Sequence, residues 1–457
     1  FGGSVGREQF STLGRHVLDF FSEERTELPP ALLIVDLNRR SVVAQPRGEA
    51  GTSIFERQLL KFLLPAYWTP CEGCRWRMRC PIKYNADTLS DPVSGPAVAE
   101  RLRRLFEVVH LRRQLHITMR DLRSALSWLI FRDHSCADVA ELLTRELRPA
   151  DLLTLLYVNA FASDGAPPPG RSDDRLVALL RQIDPAETAN PGADRELHFR
   201  GPAGLPMLAF EKRSSLETEP LALWRDSLRN GWEALQSPEA LAERRTYHGL
   251  LRRIGYFERR DDAWQAMLPY RHLEDFLRAV VEPDQLDSLK ATLIRGLSAV
   301  EGARNEEFAS KYVCLRAGQE PKARIKSFRL FPAADFRAEI ARANGASVRY
   351  VEYTPDRLIL YHQPQDPSQQ RRGARRAELQ VSLDVLELLA EMKAGFVPSP
   401  NDIQGYFVNL VIFKNALAHL PFRQLLLTRD DQEFYELGLE GNAVARLRRL
   451  EKERANA

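Results

Sequence analysis

The sequence predicts a mainly α-helical, multidomain protein whose C-terminal part is α+β and whose N-terminal third carries a cysteine loop stabilised by zinc. Three observations lead there. Apolar residues recur at helical spacing through the first two thirds of the chain. Branched and aromatic runs separated by turn residues take over after Lys311. Four of the five cysteines fall between positions 71 and 136.

In chain order, Phe10, Leu13, Val17, Leu18 and Phe21 form one stripe of an amphipathic helix. Residues 31–36 are an apolar run bounded by Pro29 and Pro30, which predicts a buried strand. That run has the form of a Walker B strand ending in Asp36, yet Leu37 stands where a catalytic glutamate is required, so a plain strand is expected. Helical spacing returns over 53–64. It recurs at Val98, Leu102, Leu105, Phe106 and Val109. Thr118 and Asp121 have the spacing of a capping box, opening a helix with Leu122, Leu126, Leu129 and Ile130 inward. Three prolines and two glycines in residues 163–170 predict a linker. The stretch 176–308 reads as mostly helical, notably over 241–254 and 272–281. Strands are expected at 312–315, 325–331, 348–353, 358–362 and 379–383, with Thr354-Pro355-Asp356 joining two of them into a hairpin. A second hairpin is expected over 424–439, helices over 383–392 and 403–417, and a short charged helix from Asn442. The expected domains are 1–163, 171–310, 311–441 and a terminal helix 442–457.

With 457 residues the chain has length for about three domains. Its net charge of +3 decides nothing about nucleic acid, so any electrostatic case rests on local patches. No apolar run approaches the roughly 18 residues that span a bilayer, so no membrane association and a cytoplasmic location are expected. Few cysteines in CxxC spacing fit a reducing compartment. The chain begins at Phe1 instead of methionine, and further sequence upstream is expected.

Cys71, Cys74 and Cys80 have the spacing to present three thiolates to one tetrahedral zinc. Cys136 is the expected fourth ligand, with His134, His110 and His116 behind it. The alternative is a reduced thiol cluster or a CxxC redox pair without metal. The motif search is otherwise negative, with no GxxxxGK[ST] loop, HExxH or GxSxG pattern, so no intrinsic ATPase activity is expected. Arginine is dense further on. Arg101, Arg103, Arg104, Arg112, Arg113, Arg120, Arg123 and Arg132 lie in one stretch, and the first five are the expected nucleic-acid contacts. Arg75, Arg77, Arg79 and Lys83 around Trp76 extend the patch across the cysteine loop, whereas residues 371–376 read as a solvated basic loop.

The order of a helix, an apolar strand ending Asp36-Leu37-Asn38-Arg39-Arg40, the Cys71-x-x-Cys74-x5-Cys80-Pro81 loop with Asn85 and Leu89, and Ile117-Thr118-Met119-Arg120-Asp121-Leu122-Arg123 resembles the later part of a group of bacterial P-loop ATPases. These are similar to the ATPase of DNA phosphorothioation-dependent restriction and related antiphage systems. The resemblance covers the first third of the chain and implies that 1–163 is a lid-like region, with Arg120 or Arg123 sensing the γ-phosphate. It implies ATP only within a larger protein or complex, with a missing N-terminal ATPase domain or protein partners and DNA as associates. The function expected on this resemblance is the non-hydrolysing portion or partner of an ATPase machine acting on nucleic acid in bacterial antiphage defence or restriction. The rival expectation is a zinc-stabilised, non-enzymatic scaffold or adaptor that binds protein partners.

Overall fold

Local hydrogen bonds fix where the helices begin. The Ser53 hydroxyl accepts the Glu56 N–H at 3.1 Å while the Glu56 carboxylate accepts the Ser53 N–H at 2.8 Å. Thr118 with Asp121, as expected, and Ser135 with Asp138 repeat this reciprocal box. The computed structural model describes residues 11–21, 41–43, 52–113, 117–145, 148–164, 175–188, 190–200, 205, 207–208, 216, 218–230, 237–281, 286–303, 305–317, 325–341, 357–364, 376–397, 408–422, 424–429, 433–440 and 444–450. The chain is mostly helical, with antiparallel sheets confined to its C-terminal part.

Two compact units divide it, one of Phe1–Arg271 with Asn344–Thr354 and the other of His272–Ala343 with Pro355–Ala457. The two units are drawn on packing, and the expected domains 1–163, 171–310 and 311–441 are a finer division than they make. Helices after residue 171 lie on helices before it, while helices between 273 and 311 lie on the C-terminal sheet.

The first unit comprises α1 (Ser11–Phe21), α2 (Ile54–Phe62), α3 (Pro65–Trp68), α4 (Pro81–Ser90), α5 (Ser94–Arg113) and α6 (Met119–Phe131). It continues with α7 (Cys136–Thr144), α8 (Pro149–Thr154), α9 (Arg175–Arg181), α10 (Pro191–Arg200), α11 (Thr218–Asn230) and α12 (Pro238–Glu258). The strand expected at 31–36 falls outside the described residues. At the centre is α5, against which α4, α9 and α12 pack. Its expected stripe of Val98, Leu102, Leu105, Phe106 and Val109 is buried throughout, with the Phe106 ring 5.2 Å from Phe55 and 6.0 Å from Phe161. Burying five such side chains stabilises the unit by about 1.5–3 kcal/mol each, relative to exposure.

Asn85 on α4 ties this core together. It is fully buried, gives its amide protons to the Ile130 and Leu155 carbonyls at 3.1 Å each, and accepts the Tyr157 N–H at 2.8 Å. Replacing it by alanine leaves three buried backbone groups unmatched. Asn85→Ala is expected to lower stability by about 1–3 kcal/mol, measured as a shift in urea midpoint at constant slope. A midpoint unchanged within error would show that water replaces all three bonds.

The second unit comprises α13 (Leu273–Val281), α14 (Leu286–Val300), α15 (Glu306–Lys311), α16 (Leu383–Lys393) and α17 (Val408–Ala418) around eight strands. These are β1 (Tyr312–Arg316), β2 (Lys326–Pro332), β3 (Phe336–Ala341), β4 (Arg357–His362), β5 (Glu378–Val381), β6 (Gln424–Thr428), β7 (Phe434–Glu440) and β8 (Val444–Leu450). One antiparallel sheet has the order β1-β2-β6-β7-β8 and the other β3-β4-β5. Phe328, Leu330, Leu426, Phe434 and Cys314 close a core under the larger sheet, where burial pushes the Cys314 thiol up to about 12.

Two expectations are corrected here. β4 pairs with β3, a strand absent from the sequence reading; its expected partner, 348–353, falls outside the described residues. The charged C-terminal helix is instead β8. Val444, Leu447 and Leu450 satisfy a helical stripe, but the ladder with β7 sets Arg448 opposite Glu436 and Leu447 opposite Leu437, and brings Leu450 onto the Phe434 cluster. Among the described residues no helix is long and apolar enough to cross a membrane.

Candidate functional site

Three of the four clustered cysteines border one cavity of about 670 Å3 in the first unit. Cys71 closes a 3-10 turn over Thr69–Cys71, and the Cys74 N–H donates back to its carbonyl at 3.2 Å. Cys80 is the N-cap of α4, with Pro81 at its first helical position, while Ser135 caps α7 and leaves Cys136 as its first residue. Cys80 and Cys136 therefore stand at helix N-termini, and at Cys80 the backbone N–H groups of Lys83 and Ile82 partly oppose the effect of burial. Burial, then the neighbouring Cys136, raises the Cys71 thiol above its ordinary value, with Cys74 adding to the effect. The Cys80 thiol is likewise raised, mainly by burial and further by Cys71 and Cys136.

Sequence segments that are far apart thus place cysteines on one cavity, which Cys136 lines together with Cys71 and Cys80. Cys74 and Cys136 are exposed. Among the described residues no group of three or more His, Cys, Asp or Glu side chains is already gathered closely enough to hold a metal. His134 borders the same cavity; His110 is half-buried on α5 and His116 falls outside the described residues. The opposite wall is aromatic. Trp68 stacks on Phe131 at 6.0 Å, gives its indole N–H to the Phe62 carbonyl at 3.0 Å, and carries the Lys83 ammonium 5.7 Å above its ring. Arg123 completes the rim and donates to the Gln58 side-chain oxygen at 2.9 Å. No motif marks Gln58, Trp68 or Phe131 in the sequence; each reads as one apolar or neutral position of an ordinary helix.

No known protein family, characterised protein or solved structure matches the chain. Its own residues therefore carry the functional reading.

The arginines, five of them expected as nucleic-acid contacts, divide by location. Arg101 is 3% exposed, donates to the Arg259 carbonyl and lies 4.9 Å over the Trp264 ring, while the Tyr256 hydroxyl donates to its carbonyl at 2.8 Å. Arg103 is 5% exposed and paired with Glu107, and Arg104 meets the same carboxylate at 3.0 Å. Arg112 is half-buried over the Tyr270 ring at 5.8 Å, and the side chain of Arg113 falls outside the described residues. The cause is that helices cover α5 on several sides, so cations between its apolar positions also face protein. Glu107 compensates the buried charge of Arg103, while Arg101 is held by a backbone carbonyl and an aromatic face. Arg120 and Arg123, in contrast, stand exposed in the first turns of α6, and Arg75, Arg77 and Arg79 are exposed on the cysteine loop.

Proposed function

We propose that the first unit is a zinc-stabilised, non-enzymatic adaptor whose cysteine loop presents a surface to protein partners. The observation that carries this reading is the meeting of Cys71, Cys80 and Cys136 at one cavity from two separate stretches of chain. Zinc would be held by these three with Cys74, the exposed Cys74 and Cys136 side chains rotating inward to complete four thiolates. Large apolar side chains crowd the neighbourhood: Leu60, Leu64, Tyr67 and Met78 are all exposed. Exposed apolar groups gathered beside a stabilised loop are what a protein partner covers. Elemental analysis of purified protein tests the metal, with about one equivalent of zinc expected and Cys74→Ser reducing it. Less than about half an equivalent in the unmodified protein overturns the assignment.

A second reading, the non-hydrolysing lid or partner of a P-loop ATPase in bacterial antiphage defence or restriction, is favoured by the exposure of Arg120 and Arg123 on α6. In this reading they, not Arg101 and Arg103, face phosphate. Fluorescence anisotropy with DNA at two salt concentrations tests it. Salt-sensitive binding abolished by Arg120→Glu with Arg123→Glu supports action on nucleic acid through these two residues, and absent binding favours the adaptor.

A further inference from the structure

A second cavity of the first unit, about 610 Å3 in volume, lies among the end of α6, the stretch after α8, α11 and α12. Its size is that of a pocket for a small organic molecule. Arg132 borders it and is only 7% exposed. One Nη2–H of Arg132 goes to the Leu156 carbonyl at 2.5 Å, and the guanidinium lies 5.7 Å from the Trp128 ring centre. Its Nε is enclosed by protein and has no hydrogen-bond partner among the described residues. The cation is held in place by an unusual backbone: Arg132 at φ 52° and Asp133 at φ 62° are successive non-glycine residues in the left-handed region.

Arg253 borders the same cavity and shows the contrast. It is matched by Asp184 at 2.6 Å and Asp164 at 2.5 Å, and also donates to Asn159 at 3.0 Å. No ion pair matches Arg132 among the described residues. Burial, and next the repulsion of Arg253, push Arg132 down to about 9, and neither Asp133 nor Asp138 offsets this, although both border the cavity. Asp138 is engaged instead in the Ser135 cap of α7. A buried cation without a counter-charge is costly unless something supplies one.

We infer that this cavity binds a small organic oxyanion, a phosphate or carboxylate on a flat apolar body, whose charged group supplies the counter-charge of the Arg132 guanidinium while its body lies beside Trp128 and Trp224. The site is distinct from the thiol-lined cavity, from which the turn bearing His134 separates it.

Titration calorimetry on the full chain at fixed ionic strength tests this, with phenyl phosphate and benzoate as probes and phenol as the uncharged control. At least one anion is expected to bind in the millimolar range or tighter and phenol not to bind, with the stronger anion telling phosphate from carboxylate. Arg132→Met is expected to weaken that binding at least about tenfold. It should leave the melting temperature of the free protein unchanged or raised, because an apolar chain of similar length replaces an unmatched buried charge. A purely structural arginine predicts the reverse, a lowered melting temperature and no anion binding to lose. Failure of both anions to bind, or equal binding by Arg132→Met, overturns the inference. Should Arg132→Met not fold, Arg132→Lys, which keeps the charge and lacks the planar guanidinium fork, is measured by the same tenfold criterion.

Discussion

Asp184→Ala is expected to cost the first unit about 3–5 kcal/mol, a large fraction of the stability of an ordinary domain. Asp184 is 1% exposed, and its two oxygens accept from four N–H groups: Ala186 N–H at 2.9 Å, Ser163 N–H at 2.7 Å, and Arg253 through Nε at 2.9 Å and Nη2 at 2.6 Å. Removing the carboxylate leaves the Arg253 guanidinium, 2% exposed, with the weaker support of the more exposed Asp164. The cost is that of an orphaned charge, not of the pair's net attraction, which desolvation largely offsets. A double replacement therefore separates the two. Asp184→Leu with Arg253→Met should recover much of the loss in chemical denaturation, since neither partner is then left charged in the interior. If the double variant is as unstable as the sum of the singles, the two residues act independently and the ion-pair account fails.

The second large effect is expected at Gly296, where α14 meets α16. A Cβ there would lie 2.4 Å from the Leu389 carbonyl oxygen and 2.6 Å from its Cβ, so the two helices approach backbone to side chain at a distance only glycine permits. Leu293, Leu297, Leu386 and Leu389 are buried around this crossing. Alanine normally stabilises a helix interior by up to about 1 kcal/mol over glycine. Here overpacking against a carbonyl that cannot turn aside outweighs it, and Gly296→Ala is expected to destabilise by about 1–3 kcal/mol, Gly296→Val by more. Gly73 supplies the control, because a Cβ added there meets nothing within 4 Å. Thermal melts showing Gly296→Ala as stable as Gly73→Ala would mean that α14 and α16 separate without cost.

Periodicity made the helices legible, and it stopped where burial ceased to alternate. The stripe of α5 and the inward face of α6 are readable because one side of each is apolar and the box at Thr118 marks a start. That Arg101 and Arg103 also point into protein is unreadable, since the partners that match them, Arg259 and Trp264 for one and Glu107 for the other, are in part far off in the chain. The cysteines are legible as a set through spacing alone. Their cavity is not, because its aromatic wall joins Trp68 to Phe131 across unrelated segments. β3 escapes notice for a related reason. Phe336, Ala338 and Ile340 alternate with charged Arg337 and Glu339, a short signal that gains meaning only when β4 lies beside it.

The last strand has a consequence for how the protein behaves in crowded solution. Among the described residues β8 is terminal in the larger sheet, so one row of its backbone donors and acceptors has no neighbouring described strand there. Such a margin is a template on which a second copy can add its own strand and begin a polymer. Arg446, Arg448 and Arg449 are exposed along it. Arg449 is held by Glu433 at 2.6 Å and Arg448 stands opposite Glu436, so the margin is lined with charged side chains that a second strand would have to displace or desolvate. The same residues that give the tail its helical disguise keep the sheet from growing beyond its own chain.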